Sequence, residues 1–161
     1  MAIGDMRHLG DDQATPARLR RIPSRLLSIA AAQADRLVTT GLAEAEGRKW
    51  HYAALTALQD SGPASQATLS RRTGIYRSDL VAVINELAER GQVERAPDET
   101  DRRRNVITIT QEGRKQLDRL DALLSTLQDQ LLAPLTVAER EQLVELLGRL
   151  VEHHARAGDA S

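Results

Sequence analysis

A mainly α chain with one small β-hairpin, an α+β arrangement, is what this sequence predicts, and three observations carry the expectation. Apolar residues recur at three- and four-residue steps through most of the 161 residues, the period of helices with one buried face. One stretch, NVITIT at 105–110, alternates and is β-branched instead, which is the pattern of a strand. Aromatic residues make up 2% of the chain and Phe is absent, so the core must come from Leu, Ala, Val and Ile, a set that suits packed helices.

Taken in order, residues 1–21 mix Gly, Asp, Thr and Pro16 without a period and read as a flexible arm or a short accessory helix. Pro23 and Ser24 can open a helix. Leu27, Ala30, Ala34, Leu37 and Val38 share one face of it, and it should run to about Glu46 with Gly47 at its end. KWHYAALTALQD gives a second helix, stopped by Ser61-Gly62-Pro63. A third begins near Ser65 and ends before Thr73-Gly74, and a fourth covers RSDLVAVINELAER and closes on Gly91. GQVERA is a short strand, PDETDRRR a turn, and NVITIT the returning strand. Thr110 can cap a long helix to about Leu132, with Leu117, Leu120, Leu124, Leu127 and Leu131 on one side. Pro134 breaks that helix. Thr136-Val-Ala-Glu139 has capping-box spacing and opens a last helix whose apolar side carries Leu143, Leu146, Leu147 and Leu150.

Composition narrows the function. The net charge is −1 and the pI about 6.4, so any nucleic-acid contact must come from local patches and not from an overall basic coat. With no cysteine, disulfides, thiolate metal sites and direct thiol switching are excluded. The N-terminus carries Asp5, Asp11 and Asp12 and no apolar signal core, and the longest apolar stretch, LLSIAAA, is too short to span a bilayer. A cytoplasmic protein without membrane contact is expected. No phosphate loop, nucleophile elbow or paired metal-ligand motif occurs, and the adjacent His153 and His154 point about 100° apart on a helix and cannot share an ion. Neither an enzyme nor a cofactor is expected, and Glu86 and Glu89 read as exposed, solvated carboxylates.

Two segments carry the chemistry. In SQATLSRRTGIYRSDLVAVINEL, residues 65–87, two short helices meet at Thr73-Gly74. Leu69 can pack on Leu80, Val83, Ile84 and Leu87, with Ile75 filling the corner. This is a helix-turn-helix pattern, whose second helix would enter a DNA major groove. Arg77, Ser78, Asp79, Val81, Ala82 and Asn85 face outward from it. Arg77 can read guanine or hold a phosphate, Asn85 can pair with adenine, and Val81 and Ala82 can touch a thymine methyl. Asp79 caps the helix or accepts from a cytosine amino group. Ser65 and Gln66, at the start of the earlier helix, can offer free amides to a phosphate. An ordinary packed helix pair fits the same pattern.

The second segment is DETDRRRNVITIT, residues 98–110. A hairpin directly after a helix-turn-helix is a wing, and Arg102, Arg103 and Arg104 at its tip suit the concentrated negative potential of a narrow minor groove. Asp98 and Asp101 can hold guanidinium planes in place by bidentate pairing. A solvated basic turn is the plainer alternative; the succession of helix-turn-helix, hairpin and arginine tip favours DNA.

Leu87-Ala-Glu-Arg-Gly91-Gln-Val-Glu-Arg95, then Asp98-Glu-Thr-Asp101-Arg-Arg103, then Ile109-Thr110-Gln-Glu-Gly113 resemble the multiple-antibiotic-resistance regulator (MarR) family of winged-helix transcription factors, whose pattern is like LxxxGLVxR…DxxDRRxxxxxLTxxG. The resemblance covers roughly residues 22–155. It implies a homodimer that binds double-stranded DNA at a pseudo-palindromic operator, one reading helix and one wing from each subunit, most often as a repressor. Arg103 falls on the arginine that such proteins place in the minor groove, and Asp101 on the acid that positions it. Ile109 stands where leucine is usual, and Ala82 where many members carry a polar or basic residue.

The chain then divides into an arm at 1–21, a winged helix-turn-helix region at 47–110, and a helical dimerisation region of 22–46 with 111–157. The three outer helices carry more apolar surface than one small domain covers, which points to interlocking with a second copy. In the resembled family a small molecule often binds between the dimerising helices and the winged domain. Trp50-His51-Tyr52 is the candidate grip for an aromatic, often acidic or phenolic, effector. Filling of the dimer core by Trp50 and Tyr52, with His51 hydrogen-bonded at the surface, is the plainer reading. The alternative function is a winged-helix assembly module that does not read DNA.

Overall fold

The computed structural model describes residues 14–158; the first thirteen residues of the expected arm lie outside them. A short α1 (Ala17–Arg20) precedes α2 (Pro23–Ala43). Then come α3 (Lys49–Ser61), β1 (Ala64–Ser65), α4 (Gln66–Thr73), α5 (Arg77–Glu89), β2 (Val93–Pro97) and β3 (Asn105–Ile109). The chain finishes with α6 (Gln111–Leu131) and α7 (Val137–Gly158). This is the expected mainly helical winged helix-turn-helix, with a sheet larger by one strand.

The core explains the order. Leu55 and Leu58 on α3, Leu69 on α4, Leu80, Ile84 and Leu87 on α5, Ile107 on β3 and Leu120 on α6 are fully buried and form one cluster. Each such side chain contributes about 1.5–3 kcal/mol by leaving water. Because α3 touches α4, α5, α6 and β3, it is the strut on which the helix-turn-helix and the hairpin rest. The α4–α5 corner forms as expected: Gly74 ends α4 with φ +71, a left-handed conformation that costs a glycine little, and Ile75 is buried beneath it. Ser70 Oγ donates to the Ile75 carbonyl at 2.6 Å and fixes the corner from the other side.

β3 lies at the centre of a three-stranded antiparallel sheet in the order β1–β3–β2. β2 pairs with it from Val93↔Ile109 to Pro97↔Asn105, and β1 adds Ala64↔Ile107 and Ser65↔Val106. The strand at Ala64–Ser65 was not expected: two residues after Pro63 are too few to show any alternation. Its effect is to bond the hairpin through its backbone to the residue that opens α4.

Two boundaries have local causes. α2 stops at Ala43 and not at Glu46. Glu46 takes φ +54, and the Gly47 amide bonds back to the Leu42 carbonyl at 2.9 Å. A left-handed non-glycine residue costs roughly 1–2 kcal/mol. Two side chains hold the turn in place: Gln116 Nε2 donates to the Ala45 carbonyl at 2.9 Å and Arg90 Nη1 to the Glu46 carbonyl at 2.6 Å. The caps read from sequence form as drawn. Thr110 Oγ1 accepts from the Gly113 amide at 3.1 Å. Thr136 and Glu139 exchange bonds of 2.8 and 3.3 Å.

α7 buries none of its residues. Val144 and Val151 stay 67% and 70% exposed and Leu150 45%. Ile22, Leu26 and Leu27 around the start of α2 are also exposed. None of the described helices is long and apolar enough to cross a membrane.

Candidate nucleic-acid interface

A groove of about 670 Å³ runs between the start of α4, the outer face of α5 and the β2–β3 hairpin. Arg77, Val81 and Asn85 line it from α5; their spacing of four residues sets them one above another on one helix face. Ser65 and Gln66 line it from the α4 side, and Arg103 and Arg104 from the hairpin. Seven residues picked out from the sequence thus meet in one place. Ser78 and Ala82 are exposed on the flank of α5, and Asp79 is half-buried in its first turn. Arg102 and Asp101 stand exposed at the hairpin tip.

Two groove arginines were missed. Arg71, in the last turn of α4, and Arg95, on β2, both line the same walls. Arg95 belonged to the quoted family motif, but only the strand register shows which way it faces. Among the described residues the groove walls hold five arginines and no carboxylate. That arrangement reconciles a net charge of −1 with binding to a polyanion: the positive charge is gathered, not abundant.

The acids at the hairpin tip do something other than expected. Asp98 Oδ1 accepts from the Thr100 amide at 2.9 Å and the Thr100 hydroxyl at 2.8 Å. The amide and the hydroxyl of Thr100 together hold the Asp98 carboxyl below the usual carboxylate range. Asp101 Oδ1 accepts from the Arg103 amide at 3.1 Å. The described guanidinium nearest to either acid is that of Arg104, whose Nε lies 3.9 Å from Asp101 Oδ2. The bidentate clamping of arginine planes is therefore corrected. Short aspartate side chains reach the backbone N–H two residues on, so Asp98 and Asp101 shape the loop and leave the Arg103 guanidinium to face the groove.

Two further roles change. Ser65 gains one: it caps α4, its Oγ accepting from the Thr68 amide at 3.2 Å, beside the phosphate contact expected at Ser65 and Gln66. Asp79 supplies negative charge to the first turn of α5, but the cap residue is Tyr76 and no side chain caps it.

Trp50, His51 and Tyr52 do not form one grip. Consecutive helical residues diverge by about 100°, and each meets a different environment. Trp50 is 46% exposed beside a pocket of about 360 Å³ lined by Asp35, Thr39, Ala43, Gly47, Arg48 and Lys49, with Lys49 paired to Asp35. The Tyr52 hydroxyl donates to Asp121 on α6 at 2.7 Å, a bond that raises the phenol's pKa. His51 is 2% exposed, so it is not a surface residue.

His51 instead joins a polar link behind the reading helix. Its Nε2 donates to Glu86 Oε2 at 2.7 Å, and Glu86 also accepts from Arg48. Glu86 is half-buried and paired, not free in solvent as expected. Arg48, then His51, hold its carboxyl below the ordinary range. Burial pushes the His51 imidazole down, against the opposing pull of Glu86. With Nε2 donating, Nδ1 is left as a buried acceptor with no partner among the described residues. Glu86 sits on the inner side of α5, so this link ties α5 to the start of α3.

A sequence profile of the MarR family matches residues 47–104, the span from α3 to the hairpin tip. The HTH-type transcriptional repressor NicR of Pseudomonas putida is 28% identical over 107 residues, covering 66% of this chain and 68% of that protein. Among solved structures, a probable transcriptional regulator from Pseudomonas aeruginosa superposes with TM-score 0.73 and 31% identity, over 83% of this chain and 99% of the other. The PcaV transcriptional regulator of Streptomyces coelicolor, in complex with its natural ligand, gives TM-score 0.72 and 28% identity, over 86% and 97% of the two chains.

Proposed function

The chain belongs to the MarR family of transcriptional regulators, DNA-binding proteins that catalyse no reaction, and from that premise we propose a homodimeric repressor that binds a pseudo-palindromic operator and is released by a small aromatic or phenolic molecule. The observation that carries this reading is the groove in which five arginines from four elements converge without a carboxylate. α5 enters the major groove with Arg77, Val81 and Asn85 toward the bases and Ser78, Ala82 and Asp79 beside them. Arg103 enters the adjacent minor groove, with Arg102 and Arg104 along the backbone. Ser65 and Gln66 approach a phosphate.

The dimer is supported by apolar surface that one chain leaves uncovered. Ile22, Leu26 and Leu27 at one end of the chain, and Val144, Leu146, Leu150 and Val151 at the other, remain exposed. Burying them against a second copy relates two reading heads by a twofold axis, with half-sites about 34 Å apart. The effector site is the pocket beside Trp50. The indole face of Trp50 suits an aromatic ring, and an acid group would compete with Asp35 for Lys49 and with Glu86 for Arg48. Its action requires only unequal affinity for two dimer shapes.

The test is a footprint of the purified protein across the DNA upstream of its own coding sequence, followed by a salt titration. With six to ten phosphate contacts, affinity should fall by about 10³–10⁵ between about 50 and 200 mM salt. Arg103→Ala should weaken operator binding at least about tenfold and leave the oligomeric state unchanged. A flat salt response would favour a protein-assembly module over a DNA reader.

A further inference from the structure

Asn85 was expected to read adenine, which requires its amide oxygen to accept from the adenine N6 amino group while its NH₂ donates to N7. The side-chain geometry argues against that use. Asn85 Oδ1 accepts a hydrogen bond from Arg95 Nη2, across the angle between α5 and β2. Both side chains are exposed and both line the arginine groove. A guanidinium has donors only, and an asparagine whose oxygen is engaged presents chiefly its NH₂. Together they offer an edge of donors, next to a positive charge.

We propose that Arg95 is a base-reading residue of this protein, that Asn85 is the positioning residue that holds it, and that the pair selects guanine. The inference rests on the operator-binding reading above. Guanine alone presents two adjacent acceptors, N7 and O6, in the major groove, whereas adenine and cytosine each present an amino donor that would meet the guanidinium. Location separates Arg95 from the other arginines. Arg103 and Arg104 belong to the hairpin tip and Arg71 to the end of α4, but Arg95 sits in the middle of β2. It bonds to a residue two turns into the reading helix, where that helix faces the bases. An arginine tethered in this way also loses less side-chain freedom on docking than an untethered one.

The experiment selects bound duplexes from a random pool with the parent protein. Affinities are then measured for each base at every half-site position, with Arg95→Ala, Asn85→Ala, Asn85→Asp and the parent. The parent should prefer guanine at one position per half-site by about 5- to 150-fold, the range of a bidentate contact. Replacing that guanine with 7-deazaguanine, which lacks the N7 acceptor, should remove much of the preference. Arg95→Ala should flatten the preference at that position alone and become indifferent to 7-deazaguanine. Asn85→Ala should lower the same preference, and Asn85→Asp, which keeps an oxygen for Arg95, should retain it. Three results would overturn the proposal: an adenine preference lost in both Asn85→Ala and Asn85→Asp but kept in Arg95→Ala; an Arg95→Ala defect equal for all sequences with a reduced salt slope, the mark of a phosphate contact; or no guanine preference at any position while other positions are read. A parent that selects no sequence at all would instead defeat the operator-binding reading itself.

Discussion

Gly113→Ala probes how the winged region is joined to the helices that follow it. A Cβ at Gly113 would lie 2.1 Å from the Gln92 carbonyl oxygen and 2.8 Å from Ile109 Cγ1. The first is a backbone atom, so no side-chain rotation relieves it; α6 must move away from the β2 entry by about an ångström. Overpacking of this kind costs about 1–3 kcal/mol. The Gln92 carbonyl also accepts from the Thr110 amide at 3.1 Å, and displacing it weakens a bond worth about 0.5–1.5 kcal/mol. Alanine in place of glycine within a helix returns about 1 kcal/mol. The net is a loss of about 2 kcal/mol, which for a chain of this size lowers Tm by about 4–8 °C. Thermal unfolding followed by far-ultraviolet circular dichroism, at one fixed protein concentration, measures it. A Tm equal to or above that of the parent would mean that α6 does not sit against the Gln92 carbonyl, and that the placement of α6 relative to the wing is wrong.

Leu150→Glu puts a charge into the exposed apolar face of α7 and touches nothing buried in the single chain. It should dissociate the proposed dimer by light scattering while the far-ultraviolet spectrum of the folded subunit is retained; an unaltered dimer mass would move the interface elsewhere. Acidification should act through His51. Its folded pKa lies below the ordinary 6.5, so the unfolded chain binds the extra proton first as pH falls. The stability that neutral His51 contributes is complete above about pH 6.5 and is lost as pH drops from there toward the folded value. Glu86, lowered from 4.5, contributes above about pH 4.5 and loses its share below, so the interval between the two isolates the histidine. Urea unfolding at about pH 7.5 and 5.5 should show a smaller pH effect in His51→Gln than in the parent, and an equal effect would refute the assignment.

The parts of this molecule that were legible in its sequence are those where one local rule decides. Gly74 between two short apolar-periodic segments marks the corner. Alternation in NVITIT marks the central strand. Thr110 and the Thr136–Glu139 pair announce helix starts that form at those residues. What was not legible depended on partners distant in the chain. A two-residue strand at Ala64–Ser65 exists because β3 offers it an edge. Arg95 joins the groove because the register turns it toward Asn85. Glu86 looked solvated because its actual partners, Arg48 and His51, are more than thirty residues away. The aspartates of the hairpin tip were assigned to arginines on charge alone, whereas the closer donors were backbone amides. Trp50-His51-Tyr52 looked like a cluster because the three letters adjoin, and helix geometry parts them.

The small strand at Ala64–Ser65 has a mechanical consequence. By joining the opening of α4 to the centre of the sheet, it ties the hairpin and the helix-turn-helix into one piece. Such a piece has little room to adjust its grip on a single half-site. In the proposed dimer, a signal that loosens the protein from DNA would then work like opening a pair of calipers: the jaws keep their shape, and the gap between them changes.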